Sequence, residues 1–126
     1  MVPNDRKYSK EHEWVLLNGK KAKVGITHHA QDQLGDIVFV ELPKKGSTVE
    51  QMKTCGVIES VKAVSDLYSP VTGTVIEINS DLSDHPEKVN QDPYNNGWIF
   101  VAETDGSEIK NLMSAEEYEN FIGTKV

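Results

Sequence analysis

Two strand-like segments flank a three-residue turn whose central residue is a lysine. Within residues 56–66, the stretches on either side of Val61-Lys62-Ala63 are rich in β-branched side chains, which favour strands. Three residues suffice only for a tight connection, so the sequence predicts a β-hairpin with Lys62 at its tip. A side chain at that place extends clear of the fold. A solvated lysine is common at any hairpin tip, so geometry alone assigns Lys62 no role.

Short strand candidates recur along the rest of the chain. They are separated by turn residues such as Asn18-Gly19 and Thr72-Gly73, not by the long helical crossovers that a parallel sheet requires. The sequence therefore predicts a mainly β fold, a sandwich or barrel of antiparallel strands. Besides the two that flank Lys62, the predicted strands cover residues 14–17, 21–26, 36–42, 74–78 and 98–102.

Helix-capping signals predict two peripheral helices. Thr27 can cap a short helix that runs through Leu34, and Gly35 suits the left-handed residue that ends it. Near the other end of the chain, Ser114-Ala115-Glu116-Glu117 reads as a capping box, followed by an apolar face. We expect a C-terminal helix packed on the β structure, with Trp14 and Trp98 as core aromatics.

Size and charge limit the classes of function. The 126 residues predict one domain over 1–126, and no apolar run approaches the ~20 residues needed to cross a bilayer. The formal charge of -7 repels nucleic acid and anionic membrane surfaces. Partners with basic docking surfaces are expected instead.

The single cysteine and the start of the chain bear on the compartment. Cys55 has no second cysteine to pair with, which is compatible with a reducing compartment, and we expect it to be a buried thiol without a function. Residues 1–7 lack a secretory or transit pattern. The expectation is a bacterial cytoplasmic protein, or a mitochondrial matrix protein if the chain is a processed eukaryotic one.

The histidines do not predict a metal site. His28 and His29 are adjacent, and on a short helix their side chains point about 100° apart, so they do not converge on one ion. His85 precedes Pro86 and is expected in a loop. No metal is therefore expected.

Several motifs in register resemble one family, the glycine cleavage system H proteins. The lysine-bearing run matches that family's lipoylation pattern, in which a glutamate, a serine and a valine precede the lysine, from Gly56 through Tyr68 and again at Pro70, Val71 and Gly73. Nearly the whole chain is covered, because further matches occur in the family's order. They are Glu11-His12-Glu13-Trp14-Val15, the runs 24–27, 30–43 and 89–94, and Gly97-Trp98.

The resemblance implies a flattened β-barrel of two antiparallel sheets and lipoate joined to Lys62 by an amide bond. It implies a carrier that catalyses no step itself and delivers a methylamine unit from a pyridoxal-phosphate glycine decarboxylase to a tetrahydrofolate-dependent aminomethyltransferase. Dihydrolipoyl dehydrogenase would then reoxidise the dithiol. Enzymes that attach lipoate complete the expected partners of a monomeric chain.

Three acidic residues match functional positions of the family. Glu13 and Asp66 correspond to residues lining the cleft that holds the loaded arm, and Glu59 lies in the pattern read by the attaching enzyme. Each also has an ordinary interpretation: Glu13 and Glu59 as solvated strand residues, and Asp66 as a residue that orients the turn. The His28-His29 pair departs from the family, which often has Asp followed by an aromatic residue or His.

Other functions explain the sequence less well. Biotin acceptors usually place Met on both sides of the lysine, and lipoyl domains of 2-oxoacid dehydrogenases usually place Asp before it, whereas this chain has Val61 and Ala63. An H-like protein that mainly relays lipoate to other proteins would share the same motifs and remains an alternative. An enzyme that uses His12, Glu13 or Cys55 directly lacks an established Cys/His or Ser/His signature.

Overall fold

A computed structural model describes residues 2–123 of the chain, and its strands form two antiparallel sheets. The larger sheet has the strand order β1-β2-β3-β9-β8-β5, and the smaller has the order β4-β6-β7. The strands are β1 Lys7–Tyr8, β2 Glu13–Asn18, β3 Lys21–Ile26, β4 Ile37–Glu41, β5 Thr48–Val49, β6 Thr54–Ser60, β7 Val64–Tyr68, β8 Gly73–Ile78 and β9 Phe100–Glu103.

Apolar side chains from both sheets form the main core. Alternate residues of each strand point inward, as the twofold period of an extended chain requires. This arrangement confirms the predicted mainly β fold, and it is a sandwich of two sheets and not a closed barrel. The fully or almost fully buried members include Val24, Val40, Ile58, Leu67, Val75 and Phe100.

The predicted lysine hairpin is present. β6 and β7 pair antiparallel and leave Val61, Lys62 and Ala63 as the connection. β6 begins at Thr54, earlier than its apolar pattern indicates, and it is the central strand of the smaller sheet. Its alternation buries Gly56, Ile58 and Ser60 and turns the residues between them outward.

Helices cover the ends of the sandwich. Helix α1 (His28–Leu34) begins at Thr27, whose hydroxyl accepts the Ala30 N–H, and it ends at Gly35, as predicted. The other α-helices are α2 Asp81–Asp84, α3 Lys88–Gln91 and α4 Ala115–Ile122, and a 3-10 helix spans Ser107–Asn111. Among residues 2–123, none of the helices combines the length and the apolar character needed to traverse a bilayer.

A second, aromatic cluster attaches helix α4 to the larger sheet. The rings of Tyr8 and Tyr118 stack with centroids 4.8 Å apart, and both side chains are fully buried together with Trp14. The predicted capping box is present, since Ser114 and Glu117 bond each other's backbone N–H groups. Trp98, expected in the core, is only half-buried, and the ammonium of Lys23 lies 5.4 Å from its ring centroid.

The sequence does not predict the shortest elements. β1 and β5 have two residues each, and α2 and α3 have four, so they carry too little local pattern to be recognised. The turn of the first hairpin also differs slightly from expectation. β2 continues through Asn18, and the loop consists of Gly19 and Lys20, with Gly19 at a φ of 64°.

Gly56 should be irreplaceable in the sheet that carries Lys62. An alanine Cβ at this position would lie 2.4 Å from the carbonyl oxygen of Glu41 on β4, and backbone cannot move aside as a flexible side chain can. We expect Gly56→Ala to lower the free energy of unfolding by about 1–3 kcal/mol in urea titrations. Thr54→Ala, at an exposed position of the same strand, is the control. A stability equal to that of the control would contradict the expected clash.

Candidate functional site

Ser60 fixes the conformation of the turn that presents Lys62. Its hydroxyl oxygen accepts the N–H groups of Lys62, at 3.3 Å, and of Ala63, at 3.1 Å. The Ser60 N–H in turn donates to the Ala63 carbonyl at 2.8 Å, which closes the hairpin. One small polar side chain therefore satisfies two backbone donors that the strands leave unpaired.

The Lys62 side chain lies beside the end of helix α1. A methyl group on Gly35 would be 3.3 Å from Cε of Lys62 and 3.9 Å from its Nζ, so the lysine runs across a backbone surface that has no side chain. The carbonyl of Asp36, the next residue, accepts the Val61 N–H at 3.0 Å. Within residues 2–123, no carboxylate forms an ion pair with the exposed Lys62. The amine is therefore available for modification.

Glu13 lies in the interior, not on an open surface. The residue is 2% exposed, its carboxyl accepts the Ser9 hydroxyl at 2.5 Å, and its other oxygen accepts the Tyr68 N–H at 3.4 Å. Burial raises the pKa of Glu13 to about 8, although these two hydrogen bonds act in the opposite direction. The carboxyl is therefore mainly protonated at pH 7.

Asp66 and Glu59 lie on the outer, solvent-facing side of the smaller sheet. Glu59 is paired with Val64 across the hairpin, and Asp66 is paired with Val57. Asp66 is exposed, whereas Glu59 is half-buried. The structure brings Glu13 to Tyr68 of β7, two residues beyond Asp66, but the two carboxyl groups occupy different environments. The ordinary interpretation of Glu13 as a solvated strand residue is wrong, because that side chain is buried.

The outer side of the β4-β6-β7 sheet combines apolar residues with carboxylates. Directly paired residues of antiparallel strands share a face, so two rows cross this side of the sheet. The rows contain three acidic and three apolar residues and no cation, and we call them the outer face. They are Phe39, Glu59 and Val64 in one row and Glu41, Val57 and Asp66 in the other.

Exposed apolar side chains continue from the outer face to the turn. Phe39 is 46% exposed, and both Val61 and Val64 are 69% exposed. Val38, at the irregularity where β4 meets β6, is 52% exposed. Contiguous exposed apolar area of this kind marks contact sites more often than ordinary surface. Lys62 therefore stands at one end of an apolar and acidic surface.

His12 and His29 form a separate pair next to helix α4. His12 has a φ of 69°, its Nδ1 lies 2.8 Å from the hydroxyl of Tyr118, and its ring is 4.9 Å from that of His29. His28 is exposed, and its Nδ1 lies 3.0 Å from Nε2 of Gln31. In the part of the chain that the structure describes, no three His, Cys, Asp or Glu side chains are grouped as a metal site.

Cys55 is a partly buried thiol at the start of β6. Burial, and then the nearby Glu13, raises the pKa of this thiol to about 12. A thiol with so high a pKa is protonated at neutral pH and is a weak nucleophile. This environment agrees with the expectation that Cys55 has no catalytic function.

Several residues of the site carry no role in the sequence-based interpretation. The sequence places Ser60 only within the lysine motif and Gly35 only at the end of a helix. It assigns no role to Ser9. Their roles depend on partners that folding brings close, such as the Lys62 side chain beside Gly35. For the outer face, the usable sequence signal is the combination of the Val64-Ser65-Asp66 motif with the predicted strand 36–42, because both supply residues to it.

Comparisons with known proteins identify the family to which this geometry belongs. The family model described as glycine cleavage H-protein matches residues 6–125. The glycine cleavage system H protein of Bacillus subtilis is 56% identical over 119 residues, which cover 94% of each chain. That of Halalkalibacterium halodurans is 53% identical over 122 residues, which cover 96% of this chain and 95% of the relative.

A solved structure is similar over almost the same length. It is the crystal structure of a glycine cleavage system H protein from Mycobacterium marinum, with a TM-score of 0.91, 38% identity, and coverage of 97% of this chain and 99% of that one. The resemblance seen in the motifs is thereby confirmed over the whole fold. The chain belongs to the glycine cleavage H-protein family, whose members serve the glycine cleavage system as carriers and not as enzymes.

Proposed function

We propose that Lys62 carries lipoate in amide linkage and that the protein is the mobile carrier of the glycine cleavage system. The observation that carries this proposal is the Lys62 amine, which is exposed at a rigid hairpin tip and has no ion-pair partner among residues 2–123. The residues fit the group. The bare backbone at Gly35 beside the lysine leaves room for a long arm to lie along the surface. The neutral amine would attack an activated lipoyl carboxyl, expelling the activating group and a proton.

When bound, lipoate supplies a dithiolane that can accept a methylamine unit and be reoxidised. The protein supplies presentation: a rigid turn at one end of a flexible tether raises the local concentration of the group at successive active sites. We propose glycine decarboxylase, aminomethyltransferase and dihydrolipoyl dehydrogenase as the enzymes served, together with a lipoate-attaching enzyme. The bacterial relatives support a cytoplasmic location for the protein.

Glu13 and Asp66 are proposed to hold the ammonium of the methylamine-loaded arm. An ammonium that leaves water needs charged or hydrogen-bonding partners. Because burial holds the Glu13 pKa near 8, the carboxyl is neutral before the cation arrives. A cation beside it favours the ionised form, so binding of the ammonium should release the Glu13 proton. Asp66, exposed on β7, would contribute from the solvent side.

Partner enzymes are proposed to dock on the outer face. Its three carboxylates, with no cation among the paired residues, are complementary to a basic surface on a partner enzyme. Its exposed apolar residues can pack against apolar residues of the same partner. Glu59 lies in the middle of this face, three residues before Lys62. An enzyme that binds this face to reach the Lys62 amine would contact Glu59, which supports recognition of Glu59 by the lipoate-attaching enzyme.

Replacing Lys62 tests the attachment site. Lys62→Arg keeps a positive charge at the tip but offers no amine for amide formation. After expression with lipoate, intact mass should increase by one lipoyl group in the parent protein, and peptide mapping should place that increment on Lys62. The variant should show no increment. Lipoylation of another lysine at comparable occupancy would contradict the proposal.

Glu13→Gln tests the role of the buried carboxyl, with Glu77→Gln, at an exposed position of β8, as the control. Below pH 8, binding of the ammonium must displace the Glu13 proton, so protection of the methylamine-loaded protein should grow as pH rises toward about 8 and level off above it. Above that pH, loss of a charge-assisted contact should hasten ammonia release by about tenfold or more in Glu13→Gln, measured without the aminomethyltransferase. Asp66→Asn should give a smaller change in the same direction.

The Glu13 comparison requires that each variant folds and accepts lipoate, which circular dichroism and intact mass establish. The ratio of the release rates of Glu13→Gln and parent should be smaller at pH 6.5 than at pH 9. Equal rates in Glu13→Gln, Asp66→Asn and parent at pH 9 would remove both residues from the site.

Charge reversal tests recognition by the attaching enzyme. Glu59→Lys changes the outer face, and Glu77→Lys makes the same change in net charge at an exposed position of β8. We expect the initial rate of lipoylation to fall by about fivefold or more in Glu59→Lys at low salt, with the difference shrinking as salt screens the charges. Equal rates for the two variants would show that Glu59 is not recognised.

A further inference from the structure

The side chain of Asn90 connects helix α3 to the backbone beside Lys62. It lies on the short helix α3, remote in sequence from the hairpin. Its amide N–H groups donate to the side-chain oxygen of Gln31 and to the carbonyl of Gly35, both at 2.9 Å. Its amide oxygen accepts the Ile37 N–H at 2.9 Å.

These three bonds determine the orientation of the Asn90 amide. Turned over, the group would set its oxygen against two other oxygens and its NH₂ against an N–H, which no arrangement of hydrogens could satisfy. Both donors and one acceptor position are used. Asn90 thus binds both ends of the segment 35–37, through the Gly35 carbonyl and the Ile37 N–H. A residue with a single hydrogen bond could hold only one end.

The segment 35–37 contacts the turn 61–63 in two places. Gly35 lies under the Cδ and Cε atoms of Lys62, and the Asp36 carbonyl accepts the Val61 N–H at 3.0 Å. The segment is otherwise a connection between α1 and β4 at the edge of the smaller sheet, where backbone pairing is incomplete. Without the Asn90 hydrogen bonds, the segment 35–37 would be more mobile, and the turn and Lys62 would move with it.

We propose that Asn90 is a positioning residue for Lys62: it fixes the 35–37 segment and so holds the lysine in the orientation from which lipoate is attached. This inference rests on the proposed function of Lys62 as the attachment site. The path runs from the Asn90 amide through Gly35 and Asp36 to Val61 and Lys62. Asn90 acts through this backbone and does not itself touch the modified amine.

Asn79 offers a matched control. Its side-chain NH₂ donates to the carbonyls of Asn96, at 3.0 Å, and Trp98, at 2.8 Å, so it too ties backbone segments together. Among the described residues, its side chain forms no hydrogen bond with the 35–37 segment or the lysine turn. Asn79→Ala should therefore lower stability by a similar mechanism without loosening the site.

The test compares Asn90→Ala and Asn90→Asp with Asn79→Ala and the parent protein. Asn90→Asp retains the acceptor for Ile37 and loses both donors, so it keeps a measurement available if the alanine variant does not fold. The first readout is hydrogen exchange of the Val61 and Ile37 amides in the protein without lipoate. We expect exchange at Val61 to accelerate by about tenfold or more in the Asn90 variants relative to Asn79→Ala.

The second readout is the initial rate of lipoate attachment with lipoate, ATP and a lipoate-attaching enzyme, at protein concentrations below saturation. We expect a fall of about fivefold or more for the Asn90 variants and a rate within about twofold of the parent for Asn79→Ala. Unchanged Val61 exchange, or faster exchange with an unchanged attachment rate, would overturn the inference. Failure of the parent protein to accept lipoate would instead refute the proposed function. The two failures are distinguishable because hydrogen exchange is measured on protein without lipoate.

Discussion

The register of β6 between β4 and β7 is the constraint on which the rest of the site depends. With Ile58 opposite Val40 and Ser65, inward positions of the small sheet fill the core and alternate positions form the outer face. A slip of one residue would exchange these sets, placing Glu59 against the core and Ile58 in water. Burying Ile58 and Leu67 therefore also fixes where the turn falls and which residue stands at its tip.

The acidic residues around the hairpin fall into two physical classes. On the outer face, carboxylates stay hydrated and contribute charge to encounters with other molecules, an effect that depends on salt. Glu13, enclosed by Ser9 and the edge of β7, is shielded from water and holds a proton at neutral pH. The same side-chain chemistry therefore provides long-range attraction at one place and a group that responds to a nearby cation at another.

Local signals allowed much of the fold to be predicted from the sequence. The β-branched flanks of Lys62, the Thr27 and Ser114 caps and the glycine that ends α1 each act within a few residues, and each was confirmed. Long-range contacts could not be read in this way. The Glu13 carboxyl accepts a hydrogen bond from Tyr68, 55 residues away, and the Asn90 bonds join residues 53 to 59 positions apart. Trp98 is only partly buried at the border of the aromatic cluster, with Lys23 beside its ring.

The surroundings of Cys55 bear on a hazard for any protein that carries a cyclic disulfide. Thiol–disulfide exchange begins with a thiolate, and a pKa of about 12 leaves an ionised fraction on the order of 10⁻⁵ at pH 7. The only sulfhydryl of the chain would thus be kept from forming a mixed disulfide with the lipoyl group that we propose on Lys62. In the carrier that we propose, thiol–disulfide chemistry would therefore be confined to the lipoyl group, and the enzymes that act on that group would set its oxidation state.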